Sequence, residues 1–106
     1  MITNKEIQNL TDTIVEAIQP EKILMFGSYA SGIANENSDL DLLVIVKHSD
    51  LPKRKRSIAL YNLIGSKFSF PKDILVRTQS EIDEWKNVRQ AFITSIKNES
   101  KVLYER

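Results

Sequence analysis

Asp39 and Asp41 stand two residues apart at the head of an apolar run that ends at Val46. Side chains alternate across a strand, so in that conformation both carboxylates share one face. Leu40 and Leu42 take the opposite face and anchor the segment in a core. Two carboxylates on one face repel unless a cation neutralises them. Magnesium suits them, being a hard ion that prefers oxygen ligands and phosphates. Gly27-Ser28 follows a second apolar run, Ile23-Leu24-Met25-Phe26. A glycine there lets the backbone approach a bulky ligand. The Ser28 hydroxyl and N–H, with donors from an opening helical turn, suit a phosphate group. Asp73 is a third acid, at the start of a third apolar run, where a carboxylate needs a reason. If its strand lies beside the Asp39 strand, the three acids meet. The chemistry of such a cluster is two-metal phosphoryl transfer, with ions roughly 3.5–4 Å apart clamping the attacking and leaving oxygens. Asp39 and Asp41 would hold both ions. Asp73 would ligate the ion at the attacking hydroxyl and help to remove its proton.

The elements that must position these residues are legible from spacing. Thr3 and Glu6 form a capping-box pattern that predicts a helix start. Ile7, Leu10, Ile14, Ala17 and Ile18 recur at helical spacing, and Pro20 ends the helix. Ile23 to Phe26 reads as a buried strand. Residues 28–37 are rich in Ser, Gly and Asn and read as a loop with a helical turn, long enough to be functional rather than a tight hairpin. Asp39 to Val46 reads as a second strand. Pro52 suits the first turn of a helix whose apolar side is Ile58, Leu60, Tyr61 and Ile64, with Gly65 near its end. Asp73 to Val76 reads as a third strand. Ser80 with Asp83 reads as the cap of a last helical region, with Trp85, Val88, Phe92 and Ile96 as its apolar stripe. Lys101 to Tyr104 reads as a short strand or an extended tail. The order helix, strand, strand, helix, strand, helix predicts an α/β (α+β) fold, a small mixed β-sheet flanked by helices.

Composition bounds the function. The chain has 106 residues, 42% hydrophobic and 27% charged, with a net charge of +1. One domain over residues 1–106 is expected, with a real core. The charge balance gives no basic bias of the kind nucleic-acid binders show. With no cysteine, disulfides, zinc-thiolate sites and cysteine nucleophiles are excluded. The N-terminus lacks a signal-peptide pattern and no apolar run approaches the ~20 residues needed to span a bilayer, so a cytoplasmic location and no membrane partner are expected.

The stretch Gly27-Ser28, ten residues, then Asp39-Leu40-Asp41 resembles the signature of the polymerase-β-like nucleotidyltransferase superfamily. Within it, the chain is similar to the minimal nucleotidyltransferase (MNT) group. The lead-in from Lys22 to Phe26, the segment from Pro71 to Val76 and the closing Lys101 to Glu105 extend the likeness over nearly the whole chain. The resemblance implies the nucleotidyltransferase fold. It implies Asp39, Asp41 and Asp73 as catalytic and metal-binding residues, and Gly27 and Ser28 as nucleotide-binding residues. The cofactor would be magnesium, two ions, or manganese in its place, with ATP as substrate. MNT proteins are often encoded beside a HEPN-domain protein, as antitoxin and toxin, and some transfer AMP from ATP to a tyrosine of that toxin. A HEPN-domain partner and assembly with it are therefore implied. There is one departure. Position 31 is commonly basic in the group and is Ser31 here, which weakens nucleotide binding unless Lys22, Lys47, Lys72 or Arg77 compensates.

Three functions remain in play. The first is transfer of a nucleotide, most readily AMP, to a protein hydroxyl, because the core fold leaves nothing over to build a pocket for another acceptor. The second is transfer to a small molecule, as in aminoglycoside nucleotidyltransferases, with a partner supplying the helical domain those enzymes carry. The third is a non-catalytic antitoxin that acts by occlusion, towards which Ser31 leans. Other residues have plainer readings. The run Lys53-Arg54-Lys55-Arg56 reads as a solvated helix face, with contact to an acidic partner or RNA as the alternative. His48 reads as a surface residue. Trp85 and Phe92 have core spacing more than that of a base-stacking platform. Tyr29 either touches a nucleotide or packs its loop down.

Overall fold

The computed structural model describes residues 1–85 and 99–106. Helix α1 (Asn4–Ile18) starts at the expected capping box: the Thr3 hydroxyl accepts the Glu6 N–H and the Glu6 carboxylate accepts the Thr3 N–H, at 3.1 and 3.0 Å. It ends at Gln19, in the left-handed conformation just before Pro20. Strand β1 (Lys22–Phe26) runs straight into the short helix α2 (Gly27–Ser31). Strand β2 (Leu40–Val46) follows, then α3 (Lys53–Ile64), a 3-10 turn (Gly65–Lys67), β3 (Lys72–Thr78), α4 (Gln79–Trp85) and β4 (Lys101–Glu105). The closing segment is thus a strand.

The four strands form one sheet in the order β3-β2-β1-β4. β1 pairs antiparallel with both β2 and β4, whereas β2 and β3 are parallel. A parallel pair needs a crossover, and α3 supplies it. Apart from Asp41, every residue of β2 is buried, as a central strand covered on both faces requires. Leu40, Leu42, Val44 and Val46 join Ile74, Val76, α1 (Ile7, Leu10, Ile14) and α3 (Leu60, Ile64) in the main core. Leu43 and Ile45 take the other face, with Leu24 and Ile82 of α4.

Two expectations are corrected. The cap of α4 is not Ser80 with Asp83. Thr78 fills that role, its hydroxyl accepting the Glu81 N–H at 3.2 Å while Glu81 accepts the Thr78 N–H at 2.7 Å. Ser and Thr compete as caps on equal terms, and Glu81 three residues on favours Thr78. The stripe expected from Trp85 begins at an exposed residue, and Val88, Phe92 and Ile96 lie outside the described residues. The basic run is not wholly solvated: Arg56 is buried. Its Nε donates to Leu51 O at 2.9 Å and its Nη1 to Glu81 Oε1 at 2.6 Å. Lys53 Nζ lies 3.8 Å from Glu81 Oε2. Helices α3 and α4 lie on opposite faces of the sheet, so this pair ties the two layers together at the end of β3.

Burial works against the Glu81 charge, but the hydrogen bonds from Arg56 and the Thr78 N–H and the Arg56 charge outweigh it and hold the carboxyl at about 2, against an ordinary 4.5. A depressed folded pKa contributes stability that is fully present above 4.5 and is lost as pH falls towards 2. Urea unfolding at pH 7 and pH 3 should show that loss, up to about 3 kcal/mol across the full titration. Glu81→Gln should be less stable at pH 7 and should flatten the dependence.

Candidate functional site

The sheet register assembles the acids. Phe26 of β1 pairs with Asp41, and Asp41 pairs with Asp73 of β3. The Gly27 turn, Asp41 and Asp73 therefore stand in line across three strands at one end of the sheet, about 4.8 Å from strand to strand. Asp41 and Asp73 project on the face of Leu43, Leu75 and Ile82, away from the main core. Asp39 departs slightly from expectation. The ladder begins at Leu40, whose N–H donates to Pro71 O at 3.0 Å, so Asp39 lies one residue before the strand and is exposed. A turn precedes it: Ser38 Oγ accepts the Asn35 N–H at 2.9 Å, and Asn35 Oδ1 accepts the Asn37 N–H at 2.8 Å. Residue type alone does not single out Asn35 and Ser38. The signal is an Asx-turn pattern just before an acid.

Gly27 meets two demands at once. Its φ is +71°, in the left-handed region, and a Cβ there would overlap the Asp41 carboxylate. The glycine thus lets α2 start against the acid. Ser28 lies in the first turn of α2, half-buried. It is not the helix N-cap, a position held by Phe26 without any side-chain hydrogen bond. The Ser31 hydroxyl donates back to Gly27 O at 3.1 Å. Tyr29 packs the loop down: its hydroxyl accepts the Ile2 N–H at 3.1 Å, and its ring packs against the main core.

Burial, then Asp73, then Asp39 push the Asp41 carboxyl above its ordinary value. All three influences act the same way, and among the described residues no cation opposes them. A raised pKa means that the anion is disfavoured, so its contribution to stability is present at low pH and lost as pH rises through the folded value. The four basic residues that could stand in for Ser31 are placed elsewhere. Lys22 starts β1, at the far end of the sheet, 3.8 Å from Glu105. Lys47 follows the far end of β2. Lys72 pairs with Leu40 and shares its face, and its Nζ donates to Phe68 O at 2.6 Å. Arg77 shares the acids' face but lies four residues along β3 from Asp73, about 13 Å away. His48 is exposed, as expected.

The residues present fit a divalent metal. Every donor is an oxygen, and the mutual repulsion of the acids is what a cation relieves. Among the described residues no group of three or more His, Cys, Asp or Glu stands close enough together to hold a metal ion by itself. Magnesium does not need such a group, since it keeps waters and substrate phosphates in its shell. A cavity of about 350 Å³ lined by Ile18, Val46, Leu60 and Leu63 lies at the opposite end of β2 and has no part in this geometry. Among the described residues no helix is long and apolar enough to cross a membrane.

A strand–Gly–Ser–helix corner beside paired aspartates on a mixed sheet defines a nucleotidyltransferase type of domain. The chain belongs to the family described as "Polymerase beta, Nucleotidyltransferase", which its residues 8–106 match. It is 34% identical over 94 residues, 89% of its length and 88% of the relative's, to a Methanocaldococcus jannaschii protein named "Putative protein adenylyltransferase". A second protein of that organism with the same name is 42% identical over 57 residues, 48% of this chain and 37% of the other. Among solved structures, the fold is similar to a "putative nucleotidyltransferase" from Sulfolobus solfataricus, with a TM-score of 0.67, 19% identity and coverage of 96% and 79% of the two chains. It is also similar to a chain of a "toxin-antitoxin with AMP-PNP", with a TM-score of 0.65, 20% identity and coverage of 93% and 73%. The expected nucleotidyltransferase fold is thereby borne out.

Two stability measurements probe the corner. Gly27→Ala should destabilise the chain by about 2–4 kcal/mol, from the left-handed backbone and the overlap with Asp41. Asp41→Asn should do the reverse in metal-free buffer at pH 7, raising stability by a few tenths to about 1 kcal/mol because like charges no longer face each other across the strands. Urea denaturation curves check both.

Proposed function

We propose that this chain transfers AMP from ATP to a hydroxyl of a partner protein, a HEPN-domain toxin, and acts as its antitoxin. The observation that carries the reading is the register of Asp41 against Asp73 beside the Gly27-Ser28 corner. The name of the M. jannaschii relative supports a protein acceptor. The toxin–antitoxin neighbour, with AMP-PNP in its description, supports both an adenine nucleotide and a partner. Asp39, Asp41 and Asp73 are the catalytic residues. A cytoplasmic setting fits a substrate such as ATP.

Asp39, Asp41 and Asp73 would hold divalent metal, as two magnesium ions or manganese in their place, and that metal would supply positive charge to the reacting phosphate. The chain's own residues do the rest. Gly27 lets the turn close on Asp41, which sets Ser28 near the acid, and the Ser28 hydroxyl and N–H donate to the triphosphate. The acceptor oxygen attacks the α-phosphorus. A bond from that oxygen to phosphorus forms, the bond from phosphorus to the bridging β-phosphate oxygen breaks, and pyrophosphate leaves. Asp73, on the acceptor side, takes the hydroxyl proton.

A second reading rests on a specific observation. Ser31 carries no charge, and Lys22, Lys47, Lys72 and Arg77 do not gather at the acids. That favours an antitoxin that works by occlusion alone.

Intact mass of the neighbouring gene's product, after incubation with this protein, ATP and magnesium, separates the two. A gain of one or more AMP units is expected, reduced at least about a hundredfold by Asp41→Ala. Tight association with no gain in mass would overturn transfer and leave occlusion.

A further inference from the structure

β3 is an edge strand, with β2 on one side only. Among the described residues no strand neighbours its outward-facing backbone groups, and such groups need partners. Side chains provide them at two points: Arg56 and Arg77 donate to Val76 O, at 3.4 and 2.9 Å, and Tyr61 serves the stretch around Asp73. The Tyr61 hydroxyl, from α3, accepts the Ile74 N–H at 2.9 Å and donates to Lys72 O at 3.5 Å. These are the residues on either side of Asp73. By strand alternation, the Asp73 N–H and C=O face the opposite way, towards β2, where Asp73 pairs with Asp41. Asp73 is thus held from both edges, by the ladder within and by one phenol without.

The phenol is itself fixed. Lys72 Nζ lies 5.9 Å from the Tyr61 ring centroid and 5.5 Å from that of Phe70, and donates to Phe68 O at 2.6 Å. Phe68 and Phe70 meet edge to face at 5.9 Å. The ring packs against the main core. Lys72 therefore lies over the tyrosine, on the face of the sheet opposite the acids.

We propose that Tyr61 is the positioning residue for Asp73, clamping the backbone on either side of it so that its carboxylate stays in register with Asp41. The role rests on the reading of Asp41 and Asp73 as metal-binding acids. Two like charges facing each other across a parallel pair tend to part the strands where they sit. The edge strand is the one free to move, and Tyr61 stops it at that point. Tyr61 touches no reacting atom. Without its hydroxyl, the ring packing remains and the clamp is lost.

The test uses the full chain, labelled with ¹⁵N, as wild type, Tyr61→Phe and Asp41→Asn. Two quantities are read by NMR: exchange of the Ile74 amide, and Mn²⁺ affinity from line broadening at residues 41 and 73. Tyr61→Phe should keep the wild-type spectrum elsewhere. Its Ile74 amide should exchange roughly tenfold faster, and its Mn²⁺ affinity should fall roughly three- to tenfold, in the manner of an outer-shell partner. Faster exchange with wild-type Mn²⁺ affinity would make Tyr61 a mere edge cover and overturn the positioning role. So would a variant unchanged in both. Asp41→Asn should lose Mn²⁺ broadening at residue 73. If it binds as the wild type does, or if the wild type shows no broadening at all, the metal reading falls, and the role of Tyr61 with it.

Discussion

The parallel pairing of β2 with β3 is the constraint on which the rest depends. It alone brings Asp73, thirty-two positions along the chain from Asp41, to the neighbouring strand at the same level. It also sets two carboxylates side by side, an arrangement that pure stability would avoid. The sheet absorbs it because β2 is otherwise buried along both faces. Burial of a run such as Leu42 to Val46 stabilises by several kcal/mol. Repulsion between partly solvated acids costs about 1 kcal/mol or less. Burial wins, and the repulsion remains.

The two ends of the sheet are built on opposite electrostatic principles. At the end where β3 meets α4, buried Arg56 and partly buried Glu81 are paired and hydrogen-bonded, and the carboxyl is held far below its ordinary value. At the other end Asp41 is pushed up by burial and by its acidic neighbours. The first arrangement fixes the layers of the fold to each other. The second leaves like charges facing each other across neighbouring strands. A protein that only had to fold would have no use for the second, which is why perturbed, uncompensated acids in an accessible corner point to chemistry.

Much of this was legible in the sequence, for physical reasons that differ from element to element. The capping box at Thr3 and the run from Leu40 to Val46 are local signals, set by short-range hydrogen bonds and alternation, and the structure follows them. The corner at Gly27 was legible because a glycine and a small polar residue after an apolar run have few other uses. The fate of Arg56 was not legible. Its neighbours Lys53, Arg54 and Lys55 are exposed, and only its partner Glu81, twenty-five positions on, gives it a reason to be inside. Thr78 and Ser80 are equivalent caps by type, and the choice fell to the glutamate at the right offset from Thr78. Tyr61 reads as one apolar residue on a helical face. Its hydroxyl matters only because β3 turns out to be an edge strand, and sheet order is not a local property. The meeting of Asp41 and Asp73 lay between these cases, conditional on two strands being neighbours.

The uneven distribution of cations bears on how the proposed site could work. Lys72 is spent on Phe68 O and two rings, Lys22 stands by Glu105, and Arg77 donates to Val76 O at 2.9 Å. Ser31 uses its hydroxyl on its own helix. A nucleoside triphosphate carries several negative charges, and at close range like charges are strongly unfavourable in a partly buried setting. The acids at this corner would therefore repel the free nucleotide. Under the proposed function, binding would be coupled to cation uptake, with charge brought in by the metal rather than by fixed side chains of the described segments. Such a site would be silent in the absence of metal. It also leaves the triphosphate tail open to a basic group from a bound partner, which would link nucleotide affinity to assembly. On that argument the loss of a charge at position 31 does not by itself separate a transferase from an occluding module. What separates them is whether metal binding at Asp41 and Asp73 is enough to turn a repulsive corner into an attractive one.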